Sequence, residues 1–403
     1  GENALAAVGA SYPITIIFMA FAVGMNLGAS VVVSRLFGAE DRGGVKRAVT
    51  TAFLSSMVLG IILTLFGYFF NHQMMRWIHT PQNIMADGVL YLKIYIFGII
   101  FLMLYNVCTG VFTALGDSKT PLYFLLGSSA GNIILDYIFV AKFQWGVSGV
   151  AWATFIVQGV SAVLALVTLL GRLQKFAGKE KQPWFDKKLF AQIMAIAIPS
   201  ILQQSVLSIG NLFVQGIVNQ FGSAVVAGYS GAIKLNTFAI NIFMTLGSCL
   251  SSYTAQNIGA GKKERIPLGF RTGVKLSELT ALPFVILYFI FSRQMMGLFL
   301  GAESVEAISA GMAFLKIVSP WYFMIVIKLM TDGIIRGSGA MVYFVVATVP
   351  DLILRIGFAL VLTKSFGSTG IWMAWPFGWI VATTLTLIFY RKLGYKNDKS
   401  SDF

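Results

Sequence analysis

Long apolar runs alternate with short polar segments along the whole chain. Each run is long enough for an α-helix of about 20 residues, which crosses the roughly 30 Å hydrocarbon core of a bilayer. Because a helix satisfies its own backbone hydrogen bonds in lipid, the pattern predicts an all-α polytopic membrane protein. We predict eleven spans, near residues 11–36, 46–70, 84–115, 119–141, 147–171, 189–219, 224–258, 266–291, 305–336, 341–363 and 368–390.

The second half of the chain repeats the first. A repeat unit of this length is typical of a duplicated helical bundle, a common transporter design in which the substrate path lies between the halves. The repeated positions are Gly38-Ala39 with Gly259-Ala260, Gly110 and Gly116 with Gly333 and Gly339, and Gly146 and Gly149 with Gly367 and Gly370.

The duplication predicts two pseudo-symmetric lobes, residues 1–171 and 189–403, joined by a basic linker at 172–188. The span at 189–219 has no partner in the first lobe, because its counterpart would precede Gly1. We therefore expect a protein of twelve helices, six in each lobe, of which eleven are visible and the first is missing from the sequence.

Composition supports the membrane assignment. Apolar residues make up 57% of the chain and charged residues 11%, whereas ordinary globular domains carry about 25% charge. Cys108 and Cys249 lie inside apolar runs, so a disulfide framework is not expected.

Charge predicts the orientation. Most of the 30 lysines and arginines lie on alternate loops, and the opposite loops hold only Arg76, Lys142, Arg293 and Lys364. By the positive-inside rule the basic loops are cytoplasmic and Gly1 is outside. We expect a multi-pass protein of the plasma (inner) membrane of a prokaryote. The net charge of +14 then favours contact with membrane lipids rather than with nucleic acid.

Several sequence segments resemble those of a known family. Taken in their order along the chain, they resemble segments of the multidrug and toxic compound extrusion (MATE) transporters, especially of the DinF-like prokaryotic branch. The segments are Ala4-Leu5-Ala6-Ala7-Val8-Gly9-Ala10-Ser11, Arg35-Leu36-Phe37-Gly38-Ala39, Ala114-Leu115-Gly116-Asp117-Ser118-Lys119-Thr120-Pro121, Gly146-Val147-Ser148-Gly149-Val150-Ala151-Trp152-Ala153-Thr154, Ala255-Gln256-Asn257-Ile258-Gly259-Ala260-Gly261 and Ile335-Arg336-Gly337-Ser338-Gly339.

The resemblance implies two six-helix lobes arranged as a V around a central cleft. It also implies an antiporter that exports small organic compounds, often cationic, in exchange for sodium ions or protons. We expect a monomer without a bound cofactor. The alternative is a flippase of the wider superfamily that moves a lipid or a lipid-linked saccharide. That alternative is disfavoured, because a pyrophosphate group needs several deep basic residues and those of this chain are few and scattered.

Asp136 is the leading candidate for cation coupling, because an acidic residue inside a span costs roughly 2.5–3.5 kcal/mol to insert and is a functional candidate by default. Asn132 lies one turn earlier on the same helix face, and Thr154 lies early in the next helix. Their oxygen atoms suit sodium, or a proton on the carboxylate, and no other metal site is expected. The three positions match the cation site of the N-terminal MATE lobe, although that site also uses an aspartate of the missing first helix. Alternatively, Asp136 only joins two helices.

The span at 189–219 contains no acidic residue. We interpret its Gln203, Gln204 and Asn211 as neutral groups that line the substrate cleft, with Asn106 and Asn26 as weaker members of this set. The alternative is that they form hydrogen bonds between helices. Prolines weaken helices, so Pro199 and Pro320 are candidate hinges, with a static bend as the alternative.

Other charges within the spans are interpreted as structural. Asp351 and Arg355 are one helical turn apart and are predicted to pair. Asp332 precedes a loop and is predicted to cap a helix at the membrane interface. Lys328 is deep and has no evident partner.

An enzyme is not expected. Histidine occurs only at positions 72 and 79, in one short outer loop, and the sequence shows no metal-ligand cluster, nucleophile elbow or phosphate-binding glycine loop.

Overall fold

The computed structural model describes residues 2–78, 80–177, 183–300 and 304–395. Within these residues every regular element is a helix, and ten helices are long and apolar enough to cross a membrane. Two helices joined at a bend form an eleventh span, so the all-α class and the eleven predicted spans are confirmed. The α-helices are α1 (Glu2–Gly38), α2 (Arg42–Trp77), α3 (Gln82–Phe97), α4 (Ile99–Ala114), α5 (Lys119–Asp136), α6 (Gly146–Ala177), α7 (Lys187–Val218), α8 (Ser223–Gly259), α9 (Ile266–Ile290), α10 (Ser292–Gly297), α11 (Val305–Val318), α12 (Tyr322–Gly337), α13 (Met341–Phe366) and α14 (Ser368–Lys392).

One span in each half is interrupted, at positions that the repeat makes equivalent, although each was predicted as one span. In the first half, α3 and α4 meet at Gly98 with a bend of 46°. The Gly98 amide donates to the carbonyl oxygen of Tyr95 at 2.9 Å, a tighter step than that of a regular α-helix. In the second half, a 3₁₀ segment at Ser319–Trp321 separates α11 from α12. The apolar pattern did not reveal either break, because hydropathy continues across both.

Two compact units divide the chain, residues Gly1–Ser205 and Val206–Phe403. The division lies inside α7, whereas the repeat predicted a junction in the linker at 172–188. Of that linker, residues 178–182 lie outside the described residues. The first half of α7 packs closely on α1, since a Cβ at Gly28 would lie 2.6 Å from the carbonyl oxygen of Ile193.

The first unit is built around α1 and α4, which also contact α2 and α6. The second is built around α8 with α11 and α12, and around the pair α13 and α14. Its core contains a stacked pair of rings, Tyr229 and Trp372, with centroids 5.2 Å apart, and Phe314 packs edge-on against Trp372. Such aromatic packing stabilises a bundle beyond the area that it buries.

The repeat is visible in the packing of equivalent helices. A Cβ at Gly110 of α4 would lie 2.8 Å from the carbonyl oxygen of Asn26 on α1. At the equivalent contact in the second half, a Cβ at Gly333 of α12 would lie 2.3 Å from the carbonyl oxygen of Gly247 on α8. Both glycines therefore permit a backbone approach that a larger residue would prevent. The helices that they approach, α1 and α8, are each 37 residues long.

Two pairs of buried charges lie in the second unit. The predicted bond between Asp351 and Arg355 is confirmed at 2.8 Å, and the Arg355 guanidinium lies 4.5 Å from the ring centroid of Trp375. Lys328 has a partner after all, because its ammonium lies 2.7 Å from a carboxylate oxygen of Asp332. Asp332, predicted to cap a helix at the interface, instead lies inside α12, is 2% exposed and binds Lys328. An unpaired lysine inside the unit would be costly, and the carboxylate one turn away neutralises it.

Candidate polar cavity in the first unit

A polar cavity of about 300 Å³ lies between α4, α5 and α6. Helix α5 has no fully buried residue, so the cavity has one thinly covered wall. The residues around it carry hydroxyl, amide and apolar side chains, without a lysine, arginine or carboxylate among them. They are Leu102, Tyr105, Asn106, Ser128, Ser129, Asn132, Thr154, Val157, Gln158 and Ser161.

Three of the residues predicted from the sequence line this cavity. Asn132 projects from α5, Thr154 from α6 and Asn106 from α4, so the fold brings their polar groups to one place. Asn132 and Thr154 come close together because a short connection joins their consecutive helices. Amide and hydroxyl oxygens at one point can bind a small hard cation or accept hydrogen bonds from an organic ligand.

Sequence reasoning missed several members of the cavity. Gln158 and Ser161 follow Thr154 at spacings of four and seven residues, which places all three on one face of α6. The sequence alone could have revealed this polar stripe in an apolar span. It could not have revealed that Gln158 lies beside Gly98, because that contact depends on the break between α3 and α4. A Cβ at Gly98 would lie 3.2 Å from the Gln158 side-chain oxygen.

Asp136 lies one helical turn beyond Asn132 and is not among the residues that line the cavity. It is half-buried, and its Oδ1 atom is buried without a hydrogen-bond partner among the described residues. Tyr91 of α3 lies within electrostatic range of this carboxylate. A buried carboxylate oxygen without a donor is costly unless a proton or a cation occupies it.

The helix changes its winding at Asp136. Helix α5 ends at this residue, and the chain continues as a π-helical segment, Tyr137–Lys142. A π-helical turn is rare and is found frequently at functional sites. The change in winding alters the direction of the side chains that follow, so Asp136 stands at the last position that shares the face of Asn132.

Asn26 does not project freely toward a substrate path. Its side-chain amide donates to the carbonyl oxygen of Asn106 at 2.8 Å and to the hydroxyl of Thr109 at 3.1 Å. Asn26 thus joins α1 to α4, which is the interhelical alternative considered from the sequence. The Asn106 amide donates to the Leu102 carbonyl oxygen of its own helix at 2.9 Å.

The remaining predicted residues lie on or near α7. Gln203 and Gln204 are half-buried and belong to the first unit, whereas Asn211 is exposed and belongs to the second. Their role in a substrate cleft stays a prediction. Pro199 lies within α7, which continues through it as one helix. Pro320 lies in the 3₁₀ segment between α11 and α12, where a missing amide is tolerated.

The described residues contain no group of three or more histidine, cysteine, aspartate or glutamate side chains able to hold a metal ion. Asp136 therefore offers a single carboxylate to a ligand. One negative charge with neutral oxygens nearby suits a proton or a monovalent cation better than a divalent one.

Comparison with known proteins identifies the family. The sequence profile of the MatE family matches residues 1–138 and 199–361. The "Probable multidrug resistance protein YpnP" of Bacillus subtilis (strain 168) is 27% identical over 393 residues, covering 97% of this chain and 87% of that protein. The "Probable multidrug resistance protein NorM" of Thermotoga maritima is 24% identical over 404 residues, covering 96% and 84%.

Solved structures agree with the fold. A multidrug resistance MATE family transporter in an outward-facing conformation superposes with a TM-score of 0.92 at 22% identity, covering 98% of this chain and 88% of that chain. A MATE structure in the bent conformation gives a TM-score of 0.89 over the same shares. The chain therefore belongs to the MatE family, whose members are multi-pass membrane transporters and not enzymes.

Proposed function

We propose that the chain is a cation-coupled antiporter that exports small organic compounds, often cationic, in exchange for sodium ions or protons. The observation that carries the proposal is the buried, unpartnered Oδ1 atom of Asp136 beside a polar cavity. The relatives named as probable multidrug resistance proteins support outward transport of drugs. We further propose that it acts as a monomer in the plasma (inner) membrane of a prokaryote, with its basic loops in the cytoplasm.

In this mechanism Asp136 binds the coupling ion. Binding of a proton or sodium ion neutralises a carboxylate whose buried oxygen has no hydrogen-bond partner among the described residues. That neutralisation favours one conformation of the protein, and the exported compound favours the other. Each ligand must bind the two conformations with different affinity, since coupling is a difference in binding free energy. A membrane potential of 100 mV supplies about 2.3 kcal/mol for each charge moved, enough to sustain a concentration gradient.

Asn132, Thr154 and Gln158 form the neutral part of the proposed site. Their amide and hydroxyl groups orient an ion or an organic ligand without adding charge to the span. The cavity offers no basic side chain among its lining residues, so a pyrophosphate would find no counter-charge there. This absence favours the antiporter over the flippase for the described cavity.

The test is efflux of a cationic dye from cells that express the protein, comparing wild type, Asp136→Asn and Glu278→Gln. Glu278 is the matched control because it is another half-buried carboxylate within a span and belongs to the other unit. We expect Asp136→Asn to lose gradient-driven efflux and Glu278→Gln to retain it at equal expression. Efflux by Asp136→Asn that survives collapse of both the sodium and the proton gradients would overturn the proposal.

A further inference from the structure

We propose that the turn between α2 and α3 holds a binding site for a phosphate-type oxyanion. A polar cavity of about 670 Å³ opens at this turn, and it is separate from the cavity between α4, α5 and α6. His72 and Arg76 line it from the last turns of α2, and Thr80 and Gln82 line it from the turn and from the start of α3. The described residues that line it include neither aspartate nor glutamate.

Arg76 supplies the positive charge. His72 lies one turn earlier on the same face of α2, so both side chains reach the cavity together. Arg76 is exposed and forms no ion pair within the described part of the chain. A planar guanidinium donates two parallel hydrogen bonds to a phosphate, and an imidazole adds a further donor.

The Thr80 side chain distinguishes this site from an ordinary charged turn at the protein surface. Its side chain is 8% exposed, and its hydroxyl has no hydrogen-bond partner among the described residues. The Thr80 amide donates to the carbonyl oxygen of Met75 at 3.2 Å, which holds the residue in place. Because buried hydroxyls nearly always have a partner, the unpartnered hydroxyl at the cavity wall indicates a missing acceptor.

The start of α3 adds backbone donors, the amides of Gln82 and Asn83, whereas the next amide, that of Ile84, donates to the carbonyl oxygen of Pro81 at 3.2 Å. The 16-residue helix begins at Gln82 after Pro81, and no side chain caps its first turn. The first amides of a helix have no partner within it and lie at the positive end of the helix dipole. An oxyanion in the cavity would accept hydrogen bonds from these amides, from the Thr80 hydroxyl and from the Arg76 guanidinium. All three kinds of donor favour an anionic ligand.

The position of the turn suggests where such an anion comes from. It joins the ends of two membrane-spanning segments, and Trp77 beside it is 61% exposed. Exposed tryptophans at helix ends lie typically at the level of the lipid headgroups. The shared chemistry is therefore a phosphate, either of a phospholipid headgroup or free in solution.

Phosphate binding can be measured by thermal unfolding of the purified protein in detergent, with phosphate exchanged for chloride at constant ionic strength. The variants are Arg76→Gln and Thr80→Val, and the matched control is Arg293→Gln, which removes an exposed arginine at a helix in the other unit. We expect phosphate to stabilise wild type and Arg293→Gln. Affinity should fall about tenfold or more in Arg76→Gln, because a hydrogen bond to a charged group contributes about 1.5–3 kcal/mol.

Thr80→Val keeps the shape of the side chain and removes only the hydroxyl, so it should bind phosphate more weakly without loss of the fold. A short-chain phosphatidylglycerol, added below its micelle concentration, distinguishes the two sources. Competition with phosphate assigns the site to a lipid headgroup, and phosphate binding without competition assigns it to the free ion. The inference is overturned if wild type shows no phosphate-dependent stabilisation, or if Arg76→Gln and Arg293→Gln respond alike.

Discussion

Replacing Asp332 by asparagine removes the carboxylate that stands between two buried cations on α12. Lys328 lies one turn before it and Arg336 one turn after it, and the three residues are 4%, 2% and 7% exposed. The Lys328 ammonium is 2.7 Å from the carboxylate, whose charge also acts on Arg336. Asp332→Asn therefore leaves two buried cations without their shared counter-charge.

The expected loss is about 3–5 kcal/mol of unfolding free energy, the usual cost of removing one partner of a buried ion pair. Because Lys328 and Asp332 lie on one helix, their pair persists when the helices of the bundle separate in lipid or detergent. The loss therefore measures the burial of uncompensated charge rather than a broken contact between helices. Lys328→Met should cost less, since Asp332 keeps the charge of Arg336 as a partner.

The assay is equilibrium unfolding of purified protein in mixed detergent and denaturing surfactant, followed by tryptophan fluorescence. Wild type, Lys328→Met, Asp332→Asn and the double variant are compared. The double variant should recover part of the loss of Asp332→Asn, because one of the two unpaired cations is gone. A loss in Asp332→Asn no larger than in Lys328→Met would refute the reasoning.

Three further outcomes are expected. Asn26→Ala should cost about 1 kcal/mol in the same unfolding assay, since it removes the side-chain bonds between α1 and α4. Gly333→Ala should destabilise by about 1–3 kcal/mol through overpacking against α8, whereas Gly357→Ala, which meets no atom within 4 Å, should not. Asp117 is partly buried, which alone raises its pKa, but hydrogen bonds from Thr120 and the charge of Arg172 leave the pKa below its ordinary value. The advantage of wild type over Asp117→Asn should be complete above about pH 4 and disappear at lower pH, as thermal unfolding against pH will show.

Hydropathy was sufficient to predict the spans because each apolar run must cross the same thickness of lipid. It was not sufficient for Gly98 or Pro320, where the chain stays apolar while the helix is interrupted. At Gly98 the interruption coincides with a close approach to Gln158 of α6, a tertiary contact that the local sequence does not contain.

Side-chain spacing predicted some polar contacts and missed others. The pair Asp351–Arg355 was recognised from its one-turn spacing. Lys328 and Asp332 have the same spacing but were treated as separate residues, so their bond was missed. Thr80 gave no signal at all, because the lack of a partner for a hydroxyl is a property of the folded surroundings and not of the local chain.

The length of α1 has a consequence for the membrane in which the protein can work. No charged residue stands between Glu2 and Arg35, a stretch of about 48 Å as an α-helix. The hydrocarbon core is only about 30 Å thick, and helices tilt by about 20° on average. The helix can therefore shift along the bilayer normal by several ångströms before a charge enters lipid. Because α1 is packed closely against α4 and α7, the unit that contains it shifts as a whole, and α1 can accommodate bilayers of different acyl-chain length without a charged residue of its own entering lipid.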